Sequence, residues 1–255
     1  MDRSYLDLTD KVAVITGGSR GIGRAIAMAY AEHGADVVIA SRKLENCEAV
    51  ATEIAAKTGR RTLAVATHVG KWAECDALAD RVLDELGRCD ILVNNAGMSP
   101  LYADITDITE DYYDKVSGVN LKGPFRLAVR LGAHMRDNQG GVILNISTDG
   151  SIRPSRNEIV YGMAKSGLNA MTVGLADALG PKVRVNCILP GAVLTDIADA
   201  WSEEMKARAD ENPLARAGAA EDFAGAALFY ASDASAWVTG TCLRVDGGLA
   251  RQLGL

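Results

Sequence analysis

The chain has 255 residues, of which 48% are hydrophobic and 5% aromatic, so it is long enough for one large α/β domain over residues 1–255. Its formal net charge of −6 and the lack of a basic run argue against nucleic acid as a partner, and no window is apolar for long enough to span a membrane. The first residues lack the apolar core of a signal peptide, so we expect a cytoplasmic protein.

The cysteines and histidines give no sign of a metal site. The five cysteines are scattered without a C-x-x-C pair, which is typical of reduced thiols: Cys47, Cys75, Cys89, Cys187 and Cys242. The three histidines are equally dispersed and show no ligand spacing with carboxylates.

The first predicted elements are a buried strand, a glycine turn and a helix over 21–33. Four apolar residues precede Thr16, and the spacing Thr-Gly-x-x-x-Gly-x-Gly ends at Gly23. Gly17 and Gly21 can adopt backbone conformations that are closed to residues with a Cβ. Free N–H groups and the positive end of the helix dipole would then face a pyrophosphate. Because many strand-to-helix turns use glycine for geometry alone, nucleotide binding rests on the rest of the chain.

Strands and helices alternate along the remaining chain. The further predicted strands are 36–40, 62–66, 90–93, 141–146, 183–188 and 242–245. The further predicted helices are 44–57, 72–86, a short one within 100–118, 119–135, 159–179 and 220–231, with a mobile helical flap over 192–215. Such alternation indicates a doubly wound parallel sheet with helices on both faces.

The segments that leave the carboxyl ends of these strands should line one crevice. Each contains glycine, proline or small polar residues: 16–23, 41–43, 67–69, 94–99, 147–150 and 190–195. Ligands of doubly wound sheets bind at this edge, near the point where the strand order reverses. We therefore expect the functional site there.

Tyr161 and Lys165 lie four residues apart on a predicted helix, so both project from one face. A phenol titrates near pH ~10 and is a poor acid at neutral pH, but a neighbouring ammonium favours the phenolate and lowers its pKa. Tyr161 could then protonate a carbonyl oxygen as hydride arrives, or deprotonate an alcohol in the reverse direction. The alternative is an ordinary amphipathic helix with a half-buried tyrosine and a solvated lysine.

Five short motifs follow one another along the chain: Thr16 to Gly23, Asn94 to Gly97, Tyr161 to Lys165, Pro190-Gly191 and Asp246 to Gly248. Taken together, these motifs resemble the short-chain dehydrogenase/reductase family, and in particular ketoacyl-reductase-like and gluconate-dehydrogenase-like members. The resemblance covers residues 11–249. It implies a Rossmann-like sheet of about seven strands and nicotinamide-dependent oxidoreduction. It also implies a homotetramer or dimer, with contacts through the helices at 119–135 and 159–179.

The resemblance further implies a set of site residues. By it, Tyr161, Lys165 and Asn120 are catalytic, and Asn120 would bend its helix and hold a water in a proton relay beyond Lys165. The alternative for Asn120 is a polar residue that satisfies local backbone. The implied cofactor-binding residues are Gly17, Ser19, Arg20, Gly21, Ile22, Gly23, Ser41, Arg42, His68, Val69, Asn95, Ala96, Gly97, Ile146, Tyr161, Lys165, Pro190, Gly191, Val193 and Thr195.

The sequence departs from the family pattern after the fifth strand. The family has two serines there, and the second, thirteen residues before the tyrosine, is catalytic; here Ser147 is followed by Thr148, and Thr148 has that spacing. A threonine hydroxyl can donate the same hydrogen bond to a substrate oxygen. We therefore predict that Thr148 takes this role, with Ser147 as the alternative.

The residues after the second strand predict NADP(H) rather than NAD(H). Ser41 stands where an acidic residue would grip the ribose 2′-hydroxyl, and Arg42 can bind a 2′-phosphate with its planar fork. Arg20 adds a second cation, although both could be solvated surface residues. His68 stands where the resembling family often has an aspartate that meets the adenine amino group, which weakens that contact.

The substrate is poorly specified. Its predicted wall consists of Met98, Ser99, Thr148, Ser151, Arg153, Arg156 and the flap. The two arginines could select an anionic substrate or could be solvated, and the sequence favours neither. We predict an NADP(H)-dependent oxidoreductase that acts on a small carbonyl or secondary alcohol. The alternatives are a nucleotide-binding redox sensor or scaffold without turnover, and an enoyl reductase.

Overall fold

The strands of the chain form a seven-stranded parallel sheet in the computed structural model, which describes residues 5–194 and 210–249. The strands are β1 Val12–Thr16, β2 Asp36–Ser41, β3 Thr62–Ala66, β4 Ile91–Asn94, β5 Gly141–Ile146, β6 Val183–Pro190 and β7 Cys242–Val245. The helices are α1 Gly21–Glu32, α2 Leu44–Thr58, α3 Trp72–Leu86, α4 Glu110–Ser117, α5 Gly123–Asp137, α6 Ile159–Leu179 and α7 Ala224–Ala231. Thr195 and most of the predicted flap lie outside the described residues.

The strand order, β3-β2-β1-β4-β5-β6-β7, reverses between β1 and β4. Val14 pairs with Val38 of β2 on one side and with Leu92 of β4 on the other. All three side chains are fully buried, since helices cover both faces of a parallel sheet. The prediction of a doubly wound parallel sheet with helices on both faces is confirmed.

Two hydrophobic clusters fill the space between the sheet and its helices. One joins β1 and β4 to residues such as Ile26 of α1 and Phe223, and the other joins them to residues such as Leu78 of α3 and Leu131 of α5. The crevice at the carboxyl ends of the strands therefore rests on a core that is packed from both sides.

The region of the predicted helix 119–135 differs from expectation. Helix α4 continues through a π-helical turn, Gly118–Lys122, directly into α5. Pro124 has no N–H to donate to the carbonyl four residues earlier, so the α-helical ladder is interrupted here. This interruption places Asn120 in the π turn, where its side chain is fully buried.

Two buried asparagines connect the central strands to α6. Asn94 and Asn145 are register partners at the ends of β4 and β5, and Asn94 Nδ2 donates to Asn145 Oδ1 at 3.0 Å. Asn145 Nδ2 donates in turn to Thr172 Oγ1 at 2.9 Å, and that hydroxyl donates to Leu168 O at 2.9 Å. This row of hydrogen bonds ties β4, β5 and α6 together beneath the crevice.

Across residues 5–194 and 210–249, no helix is both long enough and apolar enough to cross a membrane.

Candidate active site

The glycine turn lies against the loop that follows β4. Gly17 and Gly21 have φ angles of +65° and +52°, in the left-handed region that favours glycine. A Cβ on Gly17 would lie 2.8 Å from Asn95 Nδ2, and a Cβ on Gly23 would lie 2.5 Å from Gly17 O. Asn95 Nδ2 also donates to Thr16 O at 2.9 Å. The turn is thus held open at the N-terminus of α1, where backbone N–H groups can meet a pyrophosphate.

The end of β2 carries the residues that were predicted to select the cofactor. Ser41 Oγ and Cys47 Sγ are hydrogen-bonded at 3.1 Å, so the serine hydroxyl is engaged within the protein. Arg42 is exposed, as is Arg20, which is the N-cap residue of α1. Two guanidinium groups therefore stand on the surface beside the glycine turn and the end of β2.

The end of β3 brings His68 and Val69 to the same edge. His68 Nδ1 accepts a hydrogen bond from Gly70 N at 3.1 Å, and its backbone N–H donates to Glu74 Oε2 at 2.6 Å. With Nδ1 as the acceptor, the ring tautomer carries a proton on Nε2, which is then a hydrogen-bond donor. An aspartate, which the resembling family often has at this position, has a carboxylate that only accepts hydrogen bonds. Thr67, just before it, is buried, and its Oγ1 has no hydrogen-bond partner in the structure.

Lys165 is buried beneath Tyr161 on α6. Its Nζ donates to Ile146 O at 2.7 Å and lies 5.9 Å from the centroid of the Tyr161 ring. Burial lowers the pKa of Lys165 from 10.5 to about 8. The backbone carbonyl of Ile146, at the end of β5, therefore fixes the position of the ammonium group.

The pKa of Tyr161 is raised, not lowered as the sequence predicted. Burial is the largest cause, the negative charge of Glu158 adds to it, and an interaction with the Thr148 side chain works in the opposite direction. Burial of the phenol therefore outweighs the Lys165 ammonium, whose Nζ lies 5.9 Å from the centroid of the Tyr161 ring.

The two candidate hydroxyls after β5 point in different directions. Ser147 is buried, and its Oγ donates to Lys165 O at 3.2 Å, which directs it into the protein. The Thr148 side chain interacts with Tyr161 and also accepts a hydrogen bond from Gly150 N at 3.3 Å. Thr148 is therefore the hydroxyl next to the phenol.

Asn120 holds the loop that follows β4. Its Nδ2 donates to Met98 O at 2.8 Å and to Val116 O at 2.9 Å, while its Oδ1 accepts from Met98 N at 3.2 Å. A Cβ on Gly97 would lie 3.1 Å from Asn120 Oδ1 and 3.7 Å from Lys165 Nζ. Asn120 and Lys165 thus flank the same glycine, and only a residue without a side chain leaves that space open.

Two carboxylates that sequence reasoning missed flank Tyr161. Glu158 lies three residues before it and accepts hydrogen bonds from Ser99 Oγ at 2.6 Å and Ser155 Oγ at 3.0 Å. Asp149 follows Thr148, and both carboxylates raise the pKa of Tyr161. The i, i+3 spacing of Glu158 and Tyr161 was the available signal.

The last predicted cofactor segment follows β6. Gly191 lies so close to the loop after β7 that a Cβ on it would be 2.7 Å from Asp246 Cβ. Val193 is buried and forms an isolated bridge with Gly218. Pro190 ends β6, while Thr195 is outside the described residues.

The structure thus brings most of the predicted site residues to one edge of the sheet. Lys165 contacts Ile146, and Thr148 adjoins Tyr161. Asn95 and Ala96 adjoin the glycine turn and the threonine before it, whereas Gly97 adjoins Asn120. In the described part of the chain, no group of three histidine, cysteine, aspartate or glutamate side chains is arranged to hold a metal ion.

Comparisons with known proteins agree over nearly the whole chain. A family model described as enoyl-(acyl carrier protein) reductase matches residues 17–250. A short chain dehydrogenase/reductase of Aspergillus oryzae is 36% identical over 251 residues, which are 95% of this chain and 96% of that protein.

Solved structures give the same result. A protein of Sinorhizobium meliloti described as a short-chain alcohol dehydrogenase has a TM-score of 0.93 at 37% identity, covering 98% of this chain and 100% of its own. One of Beutenbergia cavernae, described as an NAD(P) dependent gluconate 5-dehydrogenase with bound NADP, has a TM-score of 0.92 at 33% identity, with coverage of 98% and 100%. The chain belongs to the short-chain dehydrogenase/reductase family of nicotinamide-dependent oxidoreductases.

Proposed function

We propose that this protein is an NADP(H)-dependent reductase or dehydrogenase that interconverts a small carbonyl compound and its secondary alcohol. The observation that carries the proposal is the arrangement of Tyr161, Thr148 and Lys165 at the carboxyl end of β5, where the phenol adjoins a hydroxyl and lies above a buried ammonium. A scaffold that only binds a nucleotide needs the glycine turn but not this group.

Each of these side chains has a role in the proposed reaction. Tyr161 donates its proton to the carbonyl oxygen in reduction and accepts it back in oxidation. Thr148 donates a hydrogen bond to the same oxygen and stabilises the charge that develops there. Lys165 holds the ribose of the nicotinamide and favours the phenolate when it is charged. When bound, the nicotinamide supplies or accepts the hydride.

Asn120 belongs to this group through the loop that it holds. Its amide fixes the backbone of Met98, next to the space beside Gly97 that Lys165 also borders. We assign to this space the water of a proton relay that returns a proton to Tyr161 by way of Lys165. The π turn supports this role, because Asn120 lies where the regular hydrogen-bond pattern of the α-helix is interrupted.

The preference for NADP(H) rests on charge. Arg20 and Arg42 are exposed where the adenosine ribose would lie, and their forks match a 2′-phosphate. Arg42→Ala should weaken binding of NADPH about tenfold and of NADH by less than twofold. A tighter dissociation constant for NADH than for NADPH in the unmodified protein would refute the preference.

The charges near Tyr161 bear on the choice of substrate. The carboxylates of Glu158 and Asp149 are the nearby negative charges, and both raise the pKa of Tyr161. Arg153 and Arg156 are exposed. A negative group on the substrate would be repelled by the carboxylates close to the reacting oxygen, whereas hydroxyl groups can donate to them. We therefore propose an uncharged, hydroxylated ketone rather than an anionic one.

An oligomer is supported by an apolar groove on the surface between α5 and α6. It is lined by Ser117, Leu121, Lys122, Phe125, Gly167 and Met171. Phe125 is 42% exposed, and Val173 further along α6 is 57% exposed. We propose that a second copy of the chain covers this face, as the family resemblance implies.

The first test is NADPH consumption with a panel of carbonyl compounds, alongside NADH and a Tyr161→Phe variant. The panel should hold a hydroxylated ketone, a keto sugar acid, a ketoacyl thioester, a cyclic ketone and an enoyl thioester. The expected result is consumption with a ketone that requires Tyr161. Turnover of the enoyl thioester alone would favour the enoyl reductase, and NADPH binding without any turnover would favour a sensor.

A further inference from the structure

We propose that Cys187 and Cys242 form a reversible disulfide that slows the reaction by releasing the loop that carries Thr148. The two residues are register partners on the adjacent strands β6 and β7, so their side chains leave the same face of the sheet. Neighbouring strands lie about 4.8 Å apart. This spacing is within the range of about 4.4 to 6.8 Å between the Cα atoms of disulfide-bonded cysteines.

The environment of the pair differs from that of the other cysteines. Cys187 is fully buried and Cys242 is exposed. The neighbouring Cys187 thiol lowers the pKa of the Cys242 thiol. Burial instead raises the pKa of Cys75 to about 11. Cys242 is therefore the thiol that an oxidant in solution can reach and that ionises more readily.

Hydrogen peroxide is the chemical class of oxidant for this step. The Cys242 thiolate attacks one peroxide oxygen, the O–O bond breaks, and a sulfenic acid and hydroxide form. The Cys187 sulfur then attacks the Cys242 sulfur, an S–S bond forms, and the S–O bond breaks. The hydroxyl group leaves as water with the proton from Cys187. Two thiols are oxidised to one disulfide while one peroxide is reduced to two waters.

A chain of hydrogen bonds leads from this pair to the active site. Cys187 Sγ donates to Asn169 Oδ1 at 3.7 Å, and Asn169 Nδ2 donates to Ser151 Oγ at 2.7 Å. Ser151 is buried, and its Oγ donates to Thr148 O at 2.6 Å. The backbone next to the catalytic hydroxyl is therefore positioned by side chains that end at Cys187.

Oxidation removes the first donor of that chain. A disulfide sulfur carries no hydrogen, so Asn169 Oδ1 loses its partner, and the amide is free to leave Ser151. Thr148 O then loses a hydrogen bond that holds its loop. Asn169 and Ser151 act here as positioning residues, and the effect on rate rests on the proposed role of Thr148.

The test compares the reduced full-length protein with the protein treated with hydrogen peroxide. Peptide mapping without reductant should find Cys187 linked to Cys242. Hydrogen–deuterium exchange over residues 148–152 should become faster. The kcat with the best ketone should fall about fivefold, the effect of one lost hydrogen bond, and should recover with dithiothreitol.

Two variants separate this device from general oxidation damage. Cys242→Ser should keep the basal activity and show neither the link, nor the faster exchange, nor the loss of rate. Cys89→Ala, which removes a buried thiol outside the pair, should respond to peroxide as the unmodified protein does. Absence of the link overturns the proposal, and so does a link that leaves exchange over residues 148–152 unchanged. Mapping and exchange need no substrate, so failure of the proposed reductase activity is recognised separately.

Discussion

Burial decides the acid–base properties of Tyr161 and Lys165. It disfavours the charged form of each group, which raises the pKa of the phenol and lowers that of the ammonium to about 8. A sequence shows that the two residues share a helix face, but it does not show how deeply each is enclosed. The sequence alone therefore could not show that the pKa of Tyr161 is raised rather than lowered.

Lys165 should make cofactor binding depend on pH. Since its pKa is lowered to about 8, the side chain is charged below that pH and neutral above it. We expect the dissociation constant of NADPH to rise about three- to tenfold between pH 7 and pH 9, as the charge-assisted hydrogen bonds to the ribose are lost. Titration calorimetry at several pH values measures this. Lys165→Met should bind weakly and show no such dependence, and a flat profile in the unmodified protein would contradict the assignment.

Thr148 and Ser147 should differ sharply when each is shortened to alanine. Thr148→Ala should lower kcat about 100-fold, because it removes a hydrogen bond to the reacting oxygen. Ser147→Ala should change kcat by less than about threefold, since its hydroxyl is bonded to Lys165 O inside the protein. Thr148→Ser should retain most of the activity. Steady-state kinetics of the variants measures these effects. Equal losses of kcat in the two alanine variants would contradict the assignment of Thr148, rather than Ser147, to the reacting oxygen.

Much of the candidate site could be predicted from the sequence, because its motifs are local. The spacing between Thr148 and Tyr161 favoured the threonine, and the structure places its side chain at the phenol. Its catalytic role stays a prediction. Glu158 was missed because a glutamate at a helix start is usually solvated. The orientation of the His68 ring was beyond prediction, since it depends on the N–H of Gly70.

At the scale of single elements, the strands could be predicted from the sequence, whereas one turn that shapes the site could not. Apolar runs were sufficient to predict every strand to within about two residues. The π turn Gly118–Lys122 was not predicted, because a one-residue widening of a helix leaves the apolar spacing almost unchanged. Its consequence is local: it buries the Asn120 amide and thereby fixes the loop at Met98.

The glycine turn allows backbone strain and steric clash to be separated. Gly17 and Gly59 both have positive φ angles, +65° and +71°, but a Cβ on Gly59 would meet nothing within 4 Å. Gly59→Ala should therefore lower the free energy of unfolding by about 1 kcal/mol through strain alone. Gly17→Ala should cost at least about 2 kcal/mol and weaken NADPH binding more than tenfold, because the added methyl group displaces Asn95.

Thermal unfolding and NADPH titration of the two variants, side by side, measure these effects. Equal losses of stability, with NADPH binding intact in Gly17→Ala, would show that the contact with Asn95 does not shape the turn.

At the scale of the whole molecule, the groove between α5 and α6 sets the expected assembly. Phe125→Glu places a charge on the exposed apolar face and should shift the protein from an oligomer toward the monomer. Ile105→Glu changes a side chain that is 60% exposed in a different segment, and it should leave the mass unchanged. Light scattering after size-exclusion chromatography measures both variants. An unmodified protein that elutes as a monomer at micromolar concentration would rule out this interface.

The paired asparagines beneath the crevice also determine how two strands align. Residues 91–93 and 142–144 are apolar and interchangeable in size, so burial of apolar surface does not distinguish one alignment of β4 on β5 from an alignment shifted by one residue. A shift would separate the amides of Asn94 and Asn145 within the core, at a cost of about 1–3 kcal/mol for each group left unpaired. Polarity, rather than hydrophobicity, thus selects the correct alignment at the centre of this sheet.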